Sequence, residues 1–297
     1  MVSRITERTL VNDFTTAVSR LRRQQADAQN ALSSQKRLRE ASDDPVGAAR
    51  STRLRGEAKE LQAYRDSVTI GRSTLGAQDG VLNESHDILI RAREIAAGLS
   101  GGLATPEARQ TAAEEVTELE RGLLALANTT VGGRYVFGGL ATVGPPFTGF
   151  DTPGFSPVTS YTGTTTPFSV RTARDEAVRI TTSGGDVFNS SLQALDDLRQ
   201  TLEAGNEPTA SLTALENAAE DIRQERASVG GRLARLQTRD QEIGNAVLTA
   251  KTLLGDVEDA DLTETITQLA QVRNALEATL TAGTSLMQTS ILDYLRL

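Results

Sequence analysis

The chain has no cysteine and a single histidine, His86. Cysteine nucleophiles, thiolate metal centres and multi-histidine metal sites are therefore excluded, and the fold is indifferent to the redox state of its surroundings. Aromatic residues are scarce at 4%, and hydrophobic residues reach only 38%, so long thin packing fits better than a broad core. No apolar run approaches the roughly 18 residues of a membrane-spanning helix; the longest nearly continuous one is Leu123 to Ala127. Positive charge is also in deficit. The net charge is −8 and the isoelectric point is near 5.0, which argues against a general binder of nucleic acid. Residues 1–7 lack the basic and apolar regions of a cleaved secretory signal. The default address is then cytoplasmic, unless a signal-independent exporter handles the protein.

What is present is helical periodicity on both sides of an unlike middle. Five of the eight prolines and six of the seven phenylalanines lie between about residues 134 and 188, where helix cannot persist. The runs Arg134–Phe137, Phe168–Val170 and Ala177–Thr181 alternate as strands joined by glycine turns. Outside this insert, apolar residues recur at steps of three and four. Leu54, Leu61, Val68, Leu75, Leu82 and Leu89 follow one another at a strict spacing of seven, behind an Asp44-Pro45 helix start, which predicts one helix from about 45 to 98. Thr105-Pro106-Glu107 opens the next, with the stripe Val116, Leu119, Leu123 and Leu126, folding back antiparallel. A short helix is expected from Ser190 to Ala204. The longest seam then runs from Leu212 to Leu254, broken only by Arg226 and Asp240, with Gly255 as its cap.

Both ends carry sustained amphipathic stripes. The first holds Val11, Phe14, Val18, Leu21 and Leu32; the last, behind an Asp261 cap, holds Ile266, Leu269, Leu276, Leu280, Met287 and Tyr294. Burying such a stripe falls well short of the entropy of ordering the segment that bears it, so neither end is expected to be stable alone. Residues 1–65 hold 13 Lys/Arg against 8 Asp/Glu, whereas residues 254–297 hold 2 against 7. The ends should attract one another. A two-helix pair still leaves part of each stripe wet, which predicts contacts with further copies of the same segments.

Other residue clusters have plainer readings. His86 shares a flank with Arg65, Arg72, Asp79 and Arg93, read as a solvated helix face. Asp256, Glu258, Asp259 and Asp261 do not have calcium-loop spacing and read as a helix-capping turn. The basic groups Arg20, Arg22, Arg23 and Lys36, Arg37, Arg39 lack interleaved aromatics and read as complements to the acidic C-terminal segment. Gly132-Gly133 and Gly138-Gly139 bracket a strand and suit turns. No catalytic, cofactor-binding or metal-ligating constellation emerges, so the chain is expected not to be an enzyme. A soluble coiled-coil adaptor is the alternative outside the class of assembly subunits.

Three segments go further. Leu32-Ser33-Ser34-Gln35-Lys36-Arg37-Leu38, followed by Ser42, Asp43, Asp44 and Pro45, resembles the N-terminal signature of the bacterial flagellin family, with Gln35 standing where that family usually has Gly. The Ser-Asp-Asp-Pro form resembles the hook-filament junction branch more than filament flagellin, the nearest alternative. Asn128, with Gly133, Tyr135, Phe137 and Gly138, resembles the same branch at its helix-to-β transition. Asp259 to Leu262 and the stripe that follows are similar to flagellin-type C-termini.

The resemblance implies a mainly α fold: a long antiparallel helical bundle with paired N- and C-terminal coiled-coil helices and a small β-rich inserted domain. The expected divisions are 1–44 and 256–297 as terminal assembly helices, 45–133 and 189–255 as the helical rod, and 134–188 as the β-rich outer domain. It further implies export without a cleaved signal peptide and a place in the extracellular flagellum. The implied partners are copies of itself, the other hook-associated junction protein, flagellin and an export chaperone, with neither nucleic acid nor membrane.

Overall fold

The computed structural model describes the backbone of residues 2–101, 104–148 and 161–295, and within these the side chains of residue 9 and residues 11–284. Among the described residues there are six helices: α1 (Val2–Ser34), α2 (Pro45–Leu99), α3 (Pro106–Ala127), α4 (Gly184–Glu203), α5 (Thr209–Glu258) and α6 (Leu262–Leu295). Between α3 and α4 lie two hairpins, β1 (Thr130–Val131) with β2 (Arg134–Tyr135), and β3 (Ser169–Ala173) with β4 (Glu176–Arg179). The fold is mainly α with a small β insert. Two compact units are distinguishable, residues 60–247 and residues 1–59 together with 248–297.

In the first unit, α2 and α5 run antiparallel. Arg65 and Arg72 both reach Asp240, Asp79 meets Arg226 and Arg93 meets Glu216, so advance along α2 is retreat along α5. Between them the heptad row Val68, Leu75, Leu82 and Leu89 meets Leu215, Ile222, Val229 and Leu236, all fully buried. The two polar interruptions of the α5 seam are thereby explained, because Arg226 and Asp240 each sit opposite a residue of opposite charge on α2. The flank that contains His86 is thus solvated, with Arg65 and Arg93 exposed, and at the same time borders α5. Arg65, Arg72, Asp79 and Arg93 form ion pairs with α5, and His86 is half-buried. A row displaced slightly from a helix's apolar stripe borders the partner helix, and only the tertiary arrangement reveals on which side.

Helices α3 and α4 complete the bundle. Thr105 caps α3 by accepting a hydrogen bond from Ala108 N, with Pro106 at the first helical position. The pairing of Arg91 on α2 with Glu115 on α3 is consistent with the expected antiparallel return. Val116 and Leu123 are buried with Leu195, Leu198 and Leu202 of α4. The guanidinium of Arg109, itself buried, donates to the carbonyls of Gly205 and Asn206, placing positive charge at the C-terminal end of α4.

The β insert places its strands at somewhat different bounds from those the alternation suggests. Gly132 and Gly133 have φ of +58° and +77° and form the two-residue turn between β1 and β2, a conformation that favours glycine. The strand expected to continue through Phe137 stops at Tyr135, because the Phe137 carbonyl accepts from Gly184 N and the Tyr161 hydroxyl instead of from a ladder. Helix α4 starts at Gly184, earlier than the Ser190 expected from pattern. Its first glycines hide it from propensity, but they let the Tyr161 ring approach the backbone, where a Cβ on Gly184 or Gly185 would lie about 3 Å from that ring. At the other boundary α5 continues through Gly255, expected as a cap, to Glu258.

Candidate functional site

The second unit pairs α1 with α6 and joins both to the ends of α2 and α5. The joint starts at Gln35, which ends α1 with φ of +57°, the left-handed region that favours glycine. The chain then turns along the end of α5. Arg37 N and Leu38 N donate to the Glu258 carbonyl at 2.8 and 3.2 Å, Ala260 N donates to the Gln35 carbonyl at 3.0 Å, and the Arg37 guanidinium reaches the Val257 carbonyl at 3.0 Å. Leu38, Leu54 and Val257 form a small buried cluster beneath.

At its centre is the Glu258 carboxylate, buried with 3% of its side chain exposed. It accepts Lys36 Nζ at 2.7 Å, Arg55 Nη2 at 2.6 Å and the Ser51 hydroxyl. Burial pushes this carboxyl up, but the hydrogen bonds from Arg55, Lys36 and Ser51 outweigh it and hold the pKa at about 2. The opposite charges of the two chain ends thus meet chiefly on one acid. The neighbouring acids have separate duties: Asp261 caps α6 by accepting from Thr263 N and Glu264 N. Among the described residues no group of three or more His, Cys, Asp or Glu is placed to hold a metal ion.

The Ser42-Asp43-Asp44-Pro45 motif shapes the same joint. Asp43 Oδ2 accepts from Glu40 N and Arg39 N, and these backbone donors, Glu40 first, lower its pKa. Asp44 Oδ1 accepts from Gly47 N, capping α2, and Pro45 supplies the first helical residue. Ser42 bonds the Glu40 carboxylate. The second motif anchors the insert in the other unit. Asn128 makes two hydrogen bonds to the backbone of Phe147, each 3.0 Å, Tyr135 N donates to the Thr142 carbonyl, and Phe137 stacks edge-on against Phe188 at 4.8 Å. Gly138 has no room for a Cβ, which would meet the Ala141 carbonyl oxygen at 2.2 Å.

Along the helix pair, Phe14, Val18, Leu21 and Leu32 are half-buried and Ala28 is buried, whereas Val11 is 47% exposed. On α6 the stripe divides. Leu269 is buried and Leu276 half-buried, but Ile266 and Leu280 are 54% and 39% exposed. The side chains of Met287 and Tyr294 lie outside the described residues. Gly283, a seam position three residues after Leu280, is buried, and so are Thr265 and Val272, which the sequence pattern passed over. Gly283 is informative because the Phe14 ring lies against it, a proximity at which a Cβ would overlap the ring. Arg20, Arg22 and Arg23 do not complement the acidic segment within the chain. They are exposed, and among the described residues none forms an ion pair, because they lie off the seam positions Val18, Leu21 and Gln25.

Long helices around a small β insert, with a capped joint between the terminal helices, are the features with which known proteins can be compared. A family model described as the bacterial flagellin N-terminal helical region matches residues 8–142. More particularly, the chain is similar over most of its length to flagellar hook-associated protein 3. It is 25% identical to that protein from Escherichia coli over 88% of this chain and 89% of the relative, and 24% identical to the Salmonella typhimurium protein over 89% and 91%. A flagellin of Clostridium tyrobutyricum is 32% identical, but over only 41% of this chain and 34% of its own length. Among solved structures, a flagellar hook-associated protein described as putative, from Vibrio parahaemolyticus, shares the fold with a TM-score of 0.61 at 19% identity, covering 73% of this chain and all of that one.

Proposed function

We propose that this chain is a structural subunit of the bacterial flagellum that joins hook to filament and polymerises through α1 and α6. The observation that carries this reading is the extent of the likeness, since hook-associated protein 3 is matched along about nine-tenths of its length and the C. tyrobutyricum flagellin along about a third. The exposed residues Val11, Ile266 and Leu280 support the assembly role, because apolar side chains left out of an intramolecular pair are available to neighbouring copies. Met287 and Tyr294 extend the same proposed contact.

In this reading the neighbours are further copies, the other hook-associated junction protein on the hook side and flagellin on the filament side. An export chaperone covers the C-terminal stripe before the subunit leaves the cell through the flagellar channel, and residues 134–188 face outward. The subunit has no catalytic task. Deleting the gene tests the role: loss of filaments with flagellin shed into the medium is expected, and normal filaments in the deletion strain would overturn it. Labelled antibody should mark the hook boundary; labelling along the whole filament would favour a filament flagellin.

A further inference from the structure

Among the described residues of the 60–247 unit, the large apolar side chains left exposed are Ile70, Leu140 and Val143. All three mark one place. Ile70 lines a cavity of about 560 Å³ formed by α2, the β1–β2 hairpin and the base of the β3–β4 hairpin. Thr142 lines it too, with Leu140 and Val143 on either side of it in the chain. The rest of the lining is mainly apolar: Val136 and Ile180 are buried, and Val131, Tyr135 and Phe168 are half-buried. Hydroxyls that could make the space polar are engaged within the chain, since Thr69 and Thr74 bond helix carbonyls at 3.0 Å and Thr181 accepts from Phe168 N at 2.7 Å. The lining is held in place by backbone bonds. Tyr135 N donates to the Thr142 carbonyl, Val136 N to the Thr129 carbonyl and the Gln78 amide to the Val136 carbonyl. The charged residue of the lining is Arg134, which is exposed and has no ion pair among the described residues.

We propose that this cavity binds a small amphiphile, an alkyl carboxylate whose chain lies against Ile70 and Phe168 and whose head meets Arg134. A concave, mostly apolar space with a few polar groups is the usual form of a small-molecule site, and its volume suits a chain of roughly ten carbons. Filling it removes the exposed face of Ile70 from water together with the hydrocarbon chain. The unpaired guanidinium selects the head, because its fork matches a carboxylate and repels a cationic group. Arg134 is exposed, so the ion pair forms at the rim and neither charge is fully desolvated. Leu140 and Val143 offer further apolar surface beyond Thr142 for a longer chain. The site lies wholly within one unit and does not rest on the assembly reading.

The chain has no tryptophan, so Phe168→Trp places a sole indole in the cavity lining. The full chain is titrated with decanoate below its micelle concentration and followed by indole fluorescence, and calorimetry on the unsubstituted chain repeats the titration without the reporter. Saturable one-to-one binding is expected, about tenfold tighter than for decyltrimethylammonium. Arg134→Gln should weaken decanoate about tenfold and leave decanol unchanged, whereas Ile70→Asp should weaken both. No saturable binding by calorimetry, equal binding of the cationic amphiphile, or decanoate affinity unmoved by Arg134→Gln each overturns the proposal. A protein occupant is tested in isolated flagella. Ile70→Cys, the sole thiol of its chain, should react with a maleimide there as fast as in the free chain; protection would show that a neighbouring protein covers the cavity and would overturn the proposal.

Discussion

The bundle of residues 60–247 and the terminal pair α1–α6 use the same seven-residue pattern to different effect. In the bundle, Val68, Leu75, Leu82 and Leu89 are fully buried because α2 is enclosed by more than one neighbour. In the terminal pair each helix has one described partner, and Val11, Ile266 and Leu280 stay in solvent. A heptad stripe states how much surface a helix offers, and the number of neighbours determines how much is covered. The contrast extends to charge. Among the described residues each unit buries one glutamate, but Glu258 has two cations and a hydroxyl, whereas Glu120 shares Arg199 with Asp196 and Glu203. Burial first, then Asp196 and Glu203 against the opposing Arg199, raises the Glu120 pKa to about 7.

The comparison breaks most readily at its packed end. Leu82→Ala should destabilise the isolated chain by about 2–5 kcal/mol, while Ile266→Ala, already exposed, should change it by less than about 0.5 kcal/mol. Urea unfolding of both variants checks this, and equal losses would erase the distinction between the regions.

The next largest effect is the opposite pH response of the two acids. Glu120 has a raised pKa in the fold, so its contribution is fully present below the ordinary carboxylate value near 4.5 and is lost as pH rises through about 7. Lowering the pH from 7.5 to 5 should therefore strengthen the bundle by up to about 3 kcal/mol. Glu120→Gln should flatten the slope of stability against pH in that window. Glu258 is depressed to about 2, so its contribution is present above about 4.5 and disappears only as pH falls through 2.

Replacing Glu258 with Ala should cost about 1–3 kcal/mol through lost charged hydrogen bonds. The loss is limited because Lys36 and Arg55 are partly exposed and regain water. Hydrogen exchange should report faster opening at residues 35–38 and 255–260 than in the bundle, and uniform acceleration across both units would contradict the local role. The smallest effect is a gain. Gln35→Gly relieves the left-handed conformation at a cost of more unfolded-state freedom, for a net stabilisation of about 0.5–1 kcal/mol in thermal melts.

Much of this arrangement is legible in the amino-acid order because it depends on local chemistry. The Asp44-Pro45, Thr105-Pro106 and Asp261 starts lie at the helix beginnings they indicate, and Gly132-Gly133 forms the turn its residues suit. The flagellin-like position of Gln35 adopts the backbone that family's glycine would favour. What pattern missed depends on residues distant in sequence. The start of α4 at Gly184 is set by Phe137 and Tyr161, the buried role of Thr265 and Val272 by the α1–α6 pairing, and the ion-paired flank around His86 by α5.

The amino-acid order alone determined the helices, their caps, the apolar stripes and the opposite charges of the two ends, since each follows from neighbours within a turn or two. Only the tertiary structure decided which stripe residues are covered and that Glu258 gathers Lys36, Ser51 and Arg55, because burial and ion pairing depend on what the rest of the chain brings alongside.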